Sequence, residues 1–406
     1  QNEEGWFVEF RIPFSTLGFQ AVDGQVTMGL TSYRVIARKN ERQIYPAIEP
    51  VWGRIGFAKP SQSQRISLQD VVQATPVYVT PFWLGGLTQT PALRSPPDVP
   101  AARWRTDDLP MREMGVDLRF SPTSNLALDV TLNTDFAQAE ADAQQINLTR
   151  FPLFFPEKRQ FFQERSSTFD FNTGGFTDRL FHSLRIGLSG GEIVRIYGGA
   201  RAVGRLGGTD FGFLNMQTAG VGTAGSENVG ILRLSQQVLN PYSSVGAMLT
   251  SRLSSAGTNN IALGADASFR LIGDEYAILK MARTYDEVID EGGSLSASVL
   301  QARWERRRDE GLAYSGEVRR VGADFNPGLG FQSRRDFLYY GGSTQYRHFF
   351  DDISKVLSAA FIVRGESYLR NSDRSAESRS VAPEVNVEFR GGTQLTVGTT
   401  STYESL

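Results

Sequence analysis

From about residue 112 onward, apolar and polar positions alternate with a period of two, while the 3.6-residue period of an amphipathic helix is almost absent. Met114, Val116, Leu118 and Phe120 alternate with Glu113, Gly115, Asp117 and Arg119. After Ser121-Pro122-Thr123-Ser124-Asn125, which is turn chemistry, Leu126, Leu128, Val130 and Leu132 alternate with Ala127, Asp129, Thr131 and Asn133. This predicts a hairpin with one apolar and one polar face. Ile261, Leu263, Ala265, Ala267, Phe269 and Leu271 alternate with Ala262, Gly264, Asp266, Ser268 and Arg270, a strand of about 11 residues, and Val385, Val387 and Phe389 repeat the pattern. Further strands are predicted near 77–88, 193–205, 209–218, 229–238, 244–253, 275–285, 294–304, 312–321, 337–348, 356–366 and 393–402. Gly190-Gly191, Gly207-Gly208, Asn240-Pro241, Gly273-Asp274, Gly292-Gly293 and Gly391-Gly392 mark joints between them.

Such alternation is shared by soluble β-sandwiches, whose outer faces are also polar. Three features favour an antiparallel up-and-down outer-membrane β-barrel instead. Many of the strands are 9–12 residues long, the span of a tilted transmembrane strand, against about 5–6 in soluble sheets. The hairpins follow one another with tight and long joints in rough alternation. Aromatics gather at strand ends (Phe82-Trp83, Tyr339-Tyr340, Tyr346, Phe349-Phe350), where an interfacial girdle would lie.

Composition narrows the chemistry. The 406 residues carry 42 Lys+Arg against 44 Asp+Glu, so 42 − 44 = −2, which argues against a general nucleic-acid binder. With 40% hydrophobic and 11% aromatic residues the chain folds rather than staying disordered. The absence of Cys removes disulfides and thiolate sites, and two widely separated histidines argue against a multi-histidine metal centre. No run reaches the ~18 apolar residues of a transmembrane helix, and Gln1-Asn2-Glu3-Glu4 opens no signal peptide. A membrane protein of this kind has to cross with a closed barrel.

Two regions break the pattern. Residues 1–57 hold short strands around Gly5–Ile12 and Val26–Arg34, and the polar run 59–64 reads as a linker. Residues 134–190 are irregular and, from Phe151 to Phe162, too rich in aromatics and prolines to lie in water. They are expected to pack into the barrel, with 134–175 as a lumenal segment.

These stretches carry a family resemblance. Gly5-Trp-Phe-Val-Glu-Phe-Arg-Ile-Pro-Phe-Ser-Thr-Leu17 with Arg34 and Arg38-Lys-Asn-Glu41, Asn133-Thr-Asp-Phe-Ala-Gln-Ala-Glu-Ala-Asp142 leading to Phe154-Phe-Pro-Glu-Lys-Arg-Gln-Phe-Phe162, Phe181-His-Ser-Leu-Arg-Ile-Gly187, and Asp324-Phe-Asn-Pro-Gly-Leu-Gly330 are its motifs. The chain resembles an uncharacterised bacterial outer-membrane family in which a domain similar to family-9 carbohydrate-binding modules precedes a C-terminal β-barrel of unknown function. The resemblance implies 1–58 as the last part of the carbohydrate-binding-like domain, 59–76 as a linker and 77–406 as the barrel. Two departures stand out: about 60 residues are too few for the whole binding domain, and Thr402-Tyr-Glu-Ser-Leu406 lacks a terminal aromatic. The expectation is a chain that begins inside that domain and stops before the barrel's final strands.

Candidate sites follow from charge. Asp135, Glu140 and Asp142 suit paired carboxylates for glycoside hydrolysis or oxygen ligands for Ca²⁺. The preferred reading is structural: a lumenal ion-pair cluster of Asp135, Glu140, Asp142, Glu157, Lys158, Arg159, Glu164 and Arg185, with no catalytic residue and no cofactor. Trp6 and Trp52 are sugar-stacking candidates, although core packing is the preferred role for both. His182 is read as a packed residue rather than a base. The function expected is a scaffold or transport component in contact with outer-membrane lipid, lipopolysaccharide and, through the N-terminal part, polysaccharide or other outer-membrane proteins. A membrane-associated hydrolase using 135–142 and a soluble carbohydrate-binding β protein are the alternatives.

Overall fold

The computed structural model describes residues 7–14, 17, 19, 21–39, 41–53, 55–71, 75–94, 103–123, 125–134, 146–147, 150–189, 192–220, 225–286 and 295–405. Its frame is one antiparallel meander of β1 (Val77–Arg94), β2 (Arg103–Thr123), β3 (Leu126–Leu132), β4 (Ile196–Leu206), β5 (Thr209–Thr218), β6 (Glu227–Gln237), β7 (Ser244–Ser254) and β8 (Asn260–Arg270). It continues through β9 (Glu275–Asp286), β10 (Ser298–Arg306), β11 (Gly311–Val321), β12 (Phe337–Phe349), β13 (Val356–Arg370), β14 (Ala376–Phe389), β15 (Gln394–Gly398) and β16 (Ser401–Glu404). Each strand up to β14 lies beside its sequence neighbours, and β15 and β16 both pair with β14 in one register, Glu384↔Gly398 and Val381↔Ser401. They act as two pieces of one edge strand. Among the described residues β1 and β15/β16 are the two edges of the sheet, and no ladder joins them.

The connections sort by end. The turns at 207–208, 238–243, 271–274, 307–310, 350–355 and 390–393 close one end, while β3 and β4, β9 and β10, and β11 and β12 are linked from the other, the last pair through the long stretch 322–336. Val77 pairs with Phe120, so β1 begins at the short-turn end. Among the described residues no helix is long and apolar enough to cross a membrane, which says nothing of strands.

The period-two alternation sets two faces. Leu263 is 47% exposed while its neighbour Ala262 is fully buried. Met114, Leu132, Leu279, Met281, Phe361 and Val385 are likewise exposed on the outward face. The opposite face is covered by residues 150–189 and 322–336. Phe162, Phe169, Phe171, Leu180 and Ile186 from the first and Phe325 and Leu329 from the second join Leu214, Met216, Val229, Ile231 and Met248 of the strands in one buried cluster. Gly264 shows how tightly they meet, since a Cβ there would stand 2.8 Å from both Phe171 and Leu180.

The N-terminal residues form two small sheets. Gln25–Leu30 lies between Ala21–Val22 and Gln64–Gln69, and Ser32–Ile36 pairs with Glu41–Tyr45. Gln64–Gln69 falls within the stretch expected as a linker. Its polar composition hid a strand whose alternate Ile66 and Leu68 pair with Met28 and Val26. This part touches the short-turn end through Lys59, whose Nζ lies 3.1 Å from Asp309 in the turn between β10 and β11.

Candidate functional site

The covering segment is held by a knot built from the Phe-Phe-Pro-Glu-Lys-Arg motif. The Pro152 and Pro156 rings withhold donors, so the chain here cannot add to a ladder and is fixed by side chains instead. The Glu157 carboxylate accepts from Arg159 Nη2 at 2.7 Å, from Ser183 Oγ at 2.7 Å and from the backbone N–H of Arg159 at 2.8 Å. Arg159, buried, donates onward to the carbonyls of Ser183 at 2.6 Å and Ile186 at 2.9 Å and lies over the Phe162 ring. Burial pushes the Glu157 carboxyl up, but the hydrogen bonds and charge of Arg159 and the Ser183 hydroxyl outweigh it and hold the pKa below the usual value.

Two motifs distant in sequence meet beside this knot. The backbone N–H of His182 donates to the Leu329 carbonyl at 2.7 Å, Arg185 Nε donates to the Gly330 carbonyl at 3.1 Å, and Arg179 and Phe331 exchange backbone hydrogen bonds. The His182 ring stacks near Phe154 and approaches the Phe155 carbonyl with Nε2 at 3.1 Å. A carbonyl only accepts, so Nε2 carries the proton. Burial first, and then the charge of Arg179, lower the His182 pKa to about 4. It is a packed neutral residue at pH 7.

Charge concentrates where residues 160–165 meet β2, β3 and β4. Asp129 is buried and takes both Arg119 Nε, at 2.7 Å, and Arg201 Nη2, at 2.7 Å. Arg201 also donates to the carbonyls of Phe161 and, at 2.8 Å, Glu164, with its guanidinium 4.6 Å from the Phe161 ring centroid. Glu164 pairs with Arg119. These contacts fix residues 160–165 to the wall and leave a cavity of about 660 Å³ between them and the short-turn ends of β1–β3.

Glu157, Arg159, Glu164 and Arg185 therefore lie in the covering segment with partners of their own. Lys158 sits beside Glu157, its backbone N–H donating to that carboxylate at 3.0 Å. Asp135, Glu140, Asp142 and Trp6 lie outside the described residues. Trp52 is 39% exposed and has the Lys59 ammonium 5.2 Å from its ring centroid, so one approach to the ring is already taken. Among the described residues no group of three or more His, Asp or Glu is placed to hold a metal ion. Sequence reasoning missed the centre of the site, Arg119, Asp129, Arg165 and Arg201. The only local signal was that Asp117, Arg119 and Asp129 occupy polar phases of their strands.

Residues 106–195 match a family described as a domain of unknown function, DUF5916. That span takes in residues 150–189 of the covering segment with most of β2 and all of β3. No curated protein matches the chain. The solved structures to which the chain is similar include three from Pseudomonas aeruginosa. OccK7 (OpdD) is 11% identical over 82% of this chain and 84% of that one, with a TM-score of 0.34. OccK5 (OpdH) is 13% identical over 82% and 88%, with a TM-score of 0.31, and OpdL is 9% identical over 93% and 97%, with a TM-score of 0.27.

Proposed function

We propose that the meander is an outer-membrane β-barrel with residues 134–175 in its interior, serving as a scaffold or transport component rather than as an enzyme. The observation that carries this reading is the sidedness of the long strands. Leu263, Leu279, Met281, Phe361 and Val385 face outward and exposed, while Asp129, Arg201, Arg233 and Arg319 are buried on the other face. A water-soluble sheet hides its apolar face, and this sheet presents it. Lipid is the surroundings that make such a surface favourable. Trp304 pairs with Ala277, eight residues along β9 from Tyr285. At ~3.3 Å per residue these two exposed aromatics stand about 26 Å apart along the strand before tilt, close to the spacing of interfacial girdles.

Lipid also leaves no partner for an open edge, so the edges of β1 and β15/β16 have to be closed. The two run in the same direction, because an even number of antiparallel steps separates them in the order β1 to β15. An antiparallel seam therefore takes one more strand between them. With short turns on the periplasmic side and long loops outside, β1 enters from the periplasm. Residues 1–58 then lie there as the last part of a carbohydrate-binding-like domain, and outer-membrane lipid and lipopolysaccharide surround the apolar belt.

Purification and gel mobility test this. The protein should need detergent, and the unboiled form should migrate differently from the boiled one. A monomer soluble without detergent, or identical migration, would sink the reading.

A further inference from the structure

The covering segment leaves a cavity beside β1–β3, and not every charge lining it is engaged in an ion pair. At about 660 Å³ it lies within the ~300–1,000 Å³ range of small-molecule sites. Arg119 and Arg201 are both taken up by Asp129 and Glu164. Arg165, next in the chain, lines the same cavity and is exposed, and among the described residues its guanidinium makes no direct hydrogen bond or ion pair. Its backbone is left-handed, with φ at 55°. That conformation is strained for a side-chain-bearing residue, and glycine would adopt it freely. Asp129 and Glu164 lie close enough to act on its charge, but both are already bonded to Arg119 and Arg201. An arginine on such a backbone, lining a cavity with no ion pair of its own, marks a place where an anion can bind.

We propose that this cavity binds a small hydroxylated oxyanion, a sugar acid or a sugar phosphate, with Arg165 as the counter-charge to its carboxylate or phosphate. The rest of the lining favours a ligand with hydroxyls over a bare anion. Thr80 and Ser121 line the cavity with hydroxyls, Gln160, whose Nε2 donates to Glu164 at 3.1 Å, adds an amide oxygen, and Asp117 lines the same space. The Asp117 carboxylate accepts one hydrogen bond from Thr131 at 2.6 Å and retains capacity for more. Against inorganic phosphate that carboxylate is a like charge; against a sugar hydroxyl it is an acceptor. A guanidinium binds carboxylate and phosphate in the same fork geometry, so both ligand types share this chemistry.

The proposal goes beyond the membrane reading and does not depend on it, because binding is measured on the purified protein whether or not it spans a bilayer. Calorimetric titration of the intact chain in detergent with D-glucuronate, glucose 6-phosphate, glucose and inorganic phosphate tests it. At least one of the two sugar anions should bind tenfold or more tightly than glucose and than phosphate, and the stronger of the two identifies the anionic group. Arg165→Asn removes the charge and tolerates the left-handed backbone, so the variant should keep the unliganded melting temperature and lose that preference. Arg165→Lys should retain part of it. Binding of neither sugar anion, equal binding of glucose or inorganic phosphate, or undiminished binding by Arg165→Asn would each overturn the assignment.

Discussion

Glu157 and Arg159 show how one residue pair decides the fate of a whole segment. Their side chains are 12% and 6% exposed, so each is the other's replacement for water. Glu157→Gln leaves the guanidinium buried with two carbonyls and no counter-charge. It should cost about 3 kcal/mol, the lower end of the usual range for breaking a buried pair. Thermal unfolding in detergent, with protease resistance of residues 150–189 as a second readout, checks this. His182 adds a pH dependence. Its pKa in the fold, about 4, lies below the 6.5 of the free side chain. The stability it contributes is thus complete above pH 6.5 and is lost as pH falls from there toward 4, at most about 3 kcal/mol. Glu157, also depressed, adds loss below its ordinary value of 4.5. Asp178, raised by burial, works in the opposite sense, its cost being relieved as pH falls toward 3.8. The melting temperature should therefore drop between pH 7 and 5, and His182→Gln, which keeps a donor for the Phe155 carbonyl, should flatten that window. An unchanged slope in the variant would remove His182 from the account.

At the scale of an element, β8 puts two opposite surroundings on adjacent residues. Leu263 faces outward, and Leu263→Arg at mid-strand should cost roughly 2–4 kcal/mol and reduce assembly if that surface meets lipid. Ser268→Arg, on the inward phase and half-buried, should be milder. Gly264 faces the covering segment with no room for a side chain. Gly264→Val should cost about 1–3 kcal/mol through overpacking. Its damage should be of a different kind: loosened protection of residues 150–189 while the gel-shifted folded band persists. If Gly264→Val and Leu263→Arg fail in the same way, the two faces of β8 do not differ as described.

For the whole molecule, the question is what the packed interior does to passage. Phe154 and Phe161 are half-buried, and Phe162, Phe169 and Phe171 are buried among inward side chains of the strands. If the sheet closes into the proposed barrel, such a filling should make it conduct ions poorly in a planar bilayer, and deletion of 151–162 should open it or prevent folding. Single cysteines at 154 and 161, usable because the chain has none of its own, should resist a membrane-impermeant thiol reagent on intact cells. Fast labelling at both would mean that the segment lies outside.

The sidedness of this protein was readable from its residues because a strand has only one side-chain period. Once Leu263 and Ala265 share a phase, their common face follows without knowledge of any neighbour. Strand positions followed for the same reason, 209–218 being both expected and found and 244–253 falling within one residue of Ser244–Ser254. β2 was not foreseen to start at Arg103, since Trp104–Pro110 has no clean alternation and is extended through its pairing with β1. The charged site was beyond local reading altogether. Asp129 and Arg201 are 72 residues apart and meet only because β3 and β4 pair across a long insertion that then folds back over them. Periodicity is carried by each stretch of chain alone. Which buried charge meets which, and which arginine is left over, depends on long-range register and on the packing of the inserted segment, and only the tertiary structure decides those.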